Sequence, residues 1–277
     1  MEGIIIKNES NNYTVKTASG LLVCKPRGKF RFDNISPLVG DIVAVDDINN
    51  YIIAIKERRN SLIRPSIANV DVALIVISVK EPIIDYHLLD KLLTIISYHH
   101  VEPIICLTKI DLLEKDEEKM LKSKMKYYQK AGYQVLTNQH LRELKNIFKN
   151  KITVFTGQSG AGKSSLLNKL DQKLSLKTNE ISKSLGRGKH TTRCTTLYEI
   201  NDGLVADTPG FSMVDFHGMS KVDIRNNMKE MYNNLDKCKY RDCMHIKEEG
   251  CYIKKMVENG EILVSRYNNY MSFIGEK

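Results

Sequence analysis

Gly157-Gln-Ser-Gly-Ala-Gly-Lys-Ser164 decides the reading of this chain. It matches G-x-x-x-x-G-K-[ST], the loop that wraps a nucleotide's phosphates. Its glycines let the backbone curl so that amide N–H groups point at phosphate oxygens. The candidate nucleotide-binding set is Gly157, Gln158, Ser159, Gly160, Ala161, Gly162, Lys163, Ser164 and Ser165. Lys163 is placed to neutralise the β- and γ-phosphates, and Ser164 to ligate Mg²⁺. An ordinary glycine-rich turn is the bland alternative. The flanks favour the phosphate loop, because Ile152–Thr156 reads as a buried strand and Ser164–Leu170 as a helix.

Downstream, Asp207-Thr-Pro-Gly210 follows the apolar run Leu204–Ala206, so it sits at a strand end. There Asp207 can hold Mg²⁺ through water, and Gly210 can turn its N–H to the γ-phosphate. Upstream, Thr108-Lys-Ile-Asp111 ends the apolar run Ile104–Leu107. The Asp111 carboxylate can accept from guanine N1–H and from its exocyclic amine, donors that adenine lacks at that edge. Lys109 is expected to lay its stem along the base. Thr108 stands where Asn is usual. The base motif normally follows the phosphate loop, and here it precedes it. A circular permutation explains this, because domain termini often lie close together.

Between the phosphate helix and the next strand, Lys173, Lys177, Lys183, Arg187, Lys189 and Arg193 face one acid, Glu180. This is the position of the first switch loop, where Thr191 or Thr192 could complete Mg²⁺ coordination. A solvated basic loop is the alternative. Near the C-terminus, Cys238, Cys243, His245 and Cys251 form C-x₄-C-x-H-x₅-C. Three thiolates and an imidazole make a closed tetrahedral Zn²⁺ site of the structural kind. No signal peptide is expected at Met1–Ser10, so six cysteines argue for metal and free thiols over a disulfide framework.

The remaining chain supplies the architecture. Residues 1–64 read as short strands at Ile4–Lys7, Tyr13–Lys16, Leu21–Cys24, Lys29–Phe32, Ile42–Val45 and Tyr51–Ile55, which suits an OB-type β-barrel. Residues 65–215 alternate strand and helix, as in a mostly parallel sheet covered by helices. Residues 216–277 hold the cysteine cluster and a last helix, whose Ile262, Leu263, Tyr267, Tyr270, Met271 and Ile274 read as core. The C-terminal core looks separate from the central one, so zinc loss is expected to spare the nucleotide site. The fold class is therefore multidomain α/β: barrel, permuted P-loop GTPase domain, and small helical zinc domain. No apolar run is long enough to span a bilayer. The net charge of +9 suits a polyanionic partner such as nucleic acid.

Together these residues resemble the RsgA family of circularly permuted, small-ribosomal-subunit-dependent GTPases. The likeness includes Val39-Gly-Asp41, Arg64-Pro65, Thr108–Asp111, Gly157–Ser165, Gly186–Arg193, Asp207–Phe211, Cys238–Cys251 and Ser265–Tyr270. It implies an rRNA-binding barrel, GTP hydrolysis stimulated by the small ribosomal subunit, and a role in that subunit's late maturation. A cytoplasmic monomer is expected. Many GTPases place a water-orienting Gln after D-x-x-G, but Phe211 stands there. His190 is then the candidate catalytic group beside Lys163, with RNA contact as its alternative role. Two rivals are a P-loop kinase for a small molecule and a nucleotide-gated RNA-binding module with negligible turnover.

Overall fold

The computed structural model describes residues 1–32, 35–63, 65–171, 195–207 and 215–275. His190, Thr191, Thr192, Gly210 and Phe211 lie outside the described residues. The chain forms two compact units. The first comprises Met1–Ala73, His140–Thr156 and Lys163–Phe211, and the second Leu74–Gln139, Gly157–Gly162 and Ser212–Lys277.

The first unit begins with a closed barrel. Its strands are β1 (Glu2–Glu9), β2 (Asn12–Thr17), β3 (Gly20–Pro26), β4 (Ile42–Asp46) and β5 (Tyr51–Ile55), in the order β1-β2-β3-β5-β4. Alternation sends Ile5, Tyr13, Val15, Cys24, Val43, Val45 and Ile52 inward. Closure removes free edges. Asn11 and Asn50 take left-handed backbone at the hairpin tips, a conformation asparagine tolerates.

Lys29–Phe32, expected as a strand, is instead a single helical turn, α1. The reason is topological. Lys25 of β3 already pairs with Tyr51 of β5, so closure leaves no slot for another strand, and Phe32 is exposed with no core to enter. The expected linker Arg58–Pro65 contributes β6 (Ser61–Leu62), which pairs with β7 (Ile67–Ala68). Buried Asp41 anchors this region by accepting from Arg58 Nε at 2.7 Å and Nη2 at 2.8 Å.

The second unit carries most of β8 (Val72–Ser78, from Leu74 on), α2 (Tyr86–Tyr98), β9 (Glu102–Thr108), α3 (Lys115–Lys130) and β10 (Gln134–Thr137). The strand order is β10-β9-β8, with β10 parallel to β9. Every residue of β8 is buried, as expected for a strand covered on both faces. Asp85 caps α2 by accepting from Leu88 N, and Glu114 with Glu117 forms a capping box on α3.

The chain then returns to the first unit with α4 (Leu141–Phe148), β11 (Ile152–Thr156), α5 (Lys163–Leu170), β12 (Leu197–Ile200) and β13 (Gly203–Asp207). β11 runs parallel to β13, and β12 pairs antiparallel with β13. The barrel meets these strands through a Lys16–Glu199 ion pair at 2.8 Å and a bridge between Lys7 and Thr196.

The last stretch belongs to the second unit: α6 (Lys221–Asn226), α7 (Lys229–Tyr232), α8 (Tyr252–Glu258) and α9 (Val264–Gly275). Ile262, Tyr270 and Ile274 are buried as expected, with Phe273 beside them. The C-terminal core does not stand apart. One cluster contains Phe216, Met219, Cys243, Cys251, Ile253, Tyr270 and Phe273 together with Ile95 of α2.

Candidate functional site

The phosphate loop has the local geometry its glycines permit. β11 is buried throughout and ends at Thr156, and α5 starts at Lys163. Gly157 has φ +120°, Gly160 +75° and Gly162 +85°, all in the region open to glycine. At Gly157 space is also decisive, because a Cβ there would lie 2.1 Å from the Val76 carbonyl oxygen. Gly157→Ala is therefore expected to displace the loop. It should abolish nucleotide-induced stabilisation and lower the melting temperature, with left-handed strain of about 1–3 kcal/mol before the clash is counted. Thermal unfolding with and without GDP checks this.

Ala161 is buried, Gln158, Gly162 and Lys163 are half-buried, and Ser159, Gly160, Ser164 and Ser165 are exposed. Gln158 Nε2 donates to the Ile83 carbonyl at 3.0 Å. The N-terminal turn of α5 thus opens to solvent with Ser164 on it, as an anion-accepting helix start requires.

Thr108 explains the departure from Asn. Its buried hydroxyl lies 2.6 Å from the Ala161 carbonyl and 3.3 Å from that of Ile77. One hydroxyl proton serves one of them, and the shorter contact marks Ala161. The base motif is therefore bonded directly to the phosphate loop. Lys109 takes left-handed backbone, φ 58° and ψ 32°, and its Nζ donates to the Glu81 carbonyl. Asp111 lies exposed in the short helical turn Ile110–Leu112. The register pairs Asp207 with Phe155, two residues before Gly157, so the D-x-x-G strand ends beside the root of the phosphate loop. Sequence reading missed the segment Glu81–Ile83, which touches both motifs. Short side-chain-to-carbonyl contacts of this kind leave no sequence signature.

Cys238, Cys243, His245 and Cys251 come together, with their ligand atoms all within 4.8 Å of one another. His245 Nδ1 stands 3.6 Å from Cys238 Sγ and 3.4 Å from Cys251 Sγ. A tetrahedral zinc with Zn–S of about 2.3 Å and Zn–N of about 2.0–2.1 Å has an N···S edge of about 3.5 Å, so the donor set fits. Burial lowers the His245 pKa to about 4, which keeps the imidazole neutral and its lone pair available. Tyr267 and Tyr270 hydroxyls donate to the His245 and Met244 carbonyls at 2.6 and 2.7 Å and so tie the cluster to α9.

A phosphate loop on a strand–helix junction, and a base motif bonded to it but encoded earlier, are the marks of a circularly permuted P-loop GTPase. The chain matches the family described as RsgA GTPase over residues 55–217 and the RsgA N-terminal domain over residues 2–52. It is 49% identical to the small ribosomal subunit biogenesis GTPase RsgA 2 of Oceanobacillus iheyensis, over 99% of this chain and 97% of that one. It resembles the crystal structure of YloQ, described as a circularly permuted GTPase, with TM-score 0.84 and 38% identity over 99% of this chain and 94% of that one. The structure of YjeQ from Thermotoga maritima superposes with TM-score 0.83 and 32% identity, over 99% of this chain and 97% of that one. The chain belongs to the RsgA family of GTPases.

Proposed function

We propose that this protein hydrolyses GTP to GDP and phosphate in late maturation of the small ribosomal subunit, with the subunit stimulating turnover. The Thr108–Ala161 hydrogen bond carries the nucleotide reading, because it joins a guanine-type motif to a phosphate loop. The ribosomal role rests on the names of relatives that match the whole length of the chain.

In this reading Asp111 accepts from guanine N1–H and the exocyclic amine, and Thr108 and Lys109 hold its turn. Lys163 and the amides of Gly157–Ser165 neutralise and orient the phosphates, and the Gly210 amide meets the γ-phosphate. Mg²⁺ supplies charge neutralisation when bound; Ser164, Asp207 and either Thr191 or Thr192 would hold it. Exposed Ser164 and the strand-end position of Asp207 beside Phe155 suit that donor set. Zinc at Cys238, Cys243, His245 and Cys251 is structural, since all four positions are protein ligands. Residues 1–64 serve as the RNA-binding barrel, 65–215 as the GTPase domain and 216–277 as the zinc domain. The protein works as a cytoplasmic monomer on subunit rRNA.

His190 orients the attacking water, because Phe211 cannot. Phosphate release from GTP, with and without purified small subunits, tests the function. His190→Ala is expected to keep GTP affinity and subunit binding and to lose stimulated turnover by about 10²-fold or more. A variant stimulated like wild type removes His190 from the mechanism. Absence of multiple turnover with subunits present would favour the nucleotide-gated binding module, and equal use of ATP would favour the kinase.

A further inference from the structure

The second unit contains an ionic cluster that the nucleotide chemistry does not use. Arg266, on α9, is fully buried. Its Nη1 lies 2.6 Å from Asp90 Oδ1 on α2, and its Nε donates to Glu230 Oε1 on α7 at 2.6 Å. Its Nη2 donates to the Tyr133 hydroxyl at 3.2 Å, just beyond α3, and its guanidinium lies over the Tyr128 ring of α3 at 5.8 Å. Asp90 also accepts from Tyr128 Oη at 2.7 Å and from Asn269 Nδ2 at 2.6 Å. Tyr127 Oη donates to Glu230 Oε1 at 2.9 Å. Asn269 Nδ2 further reaches the carbonyl of Tyr86, the first residue of α2.

One guanidinium therefore meets two buried carboxylates and two tyrosines. Desolvating such a group costs several kcal/mol, so it is a poor means of gaining stability alone. Burial raises the Asp90 pKa against the pull of Arg266, Asn269 and Tyr128. For Glu230 the burial effect is outweighed by Arg266, which holds its pKa down. What the fork geometry does provide is a set distance between the helices it touches.

Those helices begin at the nucleotide site. α2 follows Glu81–Asp85, whose Glu81 carbonyl receives Lys109 Nζ and whose Ile83 carbonyl receives Gln158. Pro82 Cδ lies 3.6 Å from where a Cβ on Gly160 would stand. α3 follows Lys109–Leu113 after its N-cap Glu114, and Lys80 pairs with Glu117 in its first turn at 2.9 Å. The leading ends of α2 and α3 thus lie beside Lys109, while further along Arg266 pairs with Asp90 of α2 and covers the ring of Tyr128 of α3, whose hydroxyl donates to the same Asp90.

We propose that Arg266 is a positioning residue for guanine recognition, through which the C-terminal helix sets the spacing of α2 and α3 and hence the pose of Lys109 and Asp111. This rests on the guanine reading of Asp111 made above.

The test uses the full-length, zinc-loaded protein and compares GDP with inosine diphosphate, which lacks the exocyclic amine. Wild-type preference for GDP over ADP is measured first; its absence would refute the guanine reading and remove the basis of the proposal. With that preference present, Arg266→Lys keeps the charge but loses the fork. It is expected to retain zinc and a cooperative melt while the GDP-over-IDP affinity ratio falls by about 5-fold or more. A purely structural role would lower the melting temperature and leave that ratio unchanged in the folded protein. Asn269→Leu, which removes the contacts to Asp90 and Tyr86 alone, is expected to lower the ratio in the same direction. It decides the matter if Arg266→Lys does not fold. A zinc-loaded, folded variant with the wild-type ratio overturns the proposal.

Discussion

Removing zinc is expected to melt the C-terminal helices and also to weaken GDP binding by about 10-fold or more. Structural zinc sites contribute about 10–16 kcal/mol near neutral pH. That matches or exceeds the whole stability of a typical domain, about 5–15 kcal/mol. The sequence suggests a separate core and therefore a spared nucleotide site. The structure shows no separate core, because Ile95 of α2 lies in the same buried cluster as Cys243, Cys251 and Phe273. Loss of this packing releases α9 and its hold on α2. Metal analysis should give one zinc per chain. Chelation or Cys251→Ser, followed by circular dichroism and a GDP titration, separates the outcomes. Full GDP affinity with a melted C-terminus would show that the cluster does not support the base site.

The pH dependence of zinc follows from its ligands. Burial raises the Cys243 thiol to about 12 in the metal-free cluster, so zinc must displace that proton. Affinity therefore falls as pH falls and rises as pH rises. Burial lowers His245 to about 4, so its imidazole is neutral near neutral pH.

The second large effect is expected at Asp111. Asp111→Asn replaces a carboxylate that accepts two donors with an amide that presents one acceptor and one donor. Hydrogen bonds to charged groups are worth about 1.5–3 kcal/mol each. The amide oxygen can still accept from N1–H, but its NH2 faces the exocyclic amine donor to donor, so loss of that one bond lowers GTP affinity by about 10- to 10²-fold. Xanthosine triphosphate carries a carbonyl where guanine has its amine, so the new amide can donate to it. Its affinity should rise as that of GTP falls, and competition between the two nucleotides reads the exchange directly. The variant should remain folded, since Asp111 is exposed on a short turn. A variant with unchanged GTP affinity would mean that Asp111 does not read the base.

Much of the fold was legible because its signals are local. Val72–Ser78 is an unbroken apolar strand, and every residue of it is buried. The alternation at Tyr13 and Val15, or at Val43 and Val45, shows which faces enter the barrel. The phosphate loop was legible because glycine backbone and lysine charge are properties of the residues themselves, and the loop has the positive φ angles that chemistry needs. The candidate metal cluster was legible because thiols with an imidazole have few other uses in such a pattern, and the fold brings the four ligand atoms within 4.8 Å of one another.

Long-range pairing was not legible. Lys29–Phe32 has strand-like composition, but only the closed barrel reveals that no edge remains to receive it. Thr108 looks like a weakened Asn until the fold brings the Ala161 carbonyl, 53 residues away, within 2.6 Å of its hydroxyl. Arg266 is not among the residues that read as core, because a charged side chain gives no sign of burial, yet it is fully buried on α9 four residues before Tyr270. Its purpose still required Asp90 and Glu230, from helices far apart in the chain. Sequence by itself picked out the side chains whose chemistry suits phosphate, guanine and zinc, because that chemistry resides in single residues and short spacings. Only the tertiary structure decided which carbonyls and carboxylates face them, because a buried polar contact depends on where two distant backbones meet.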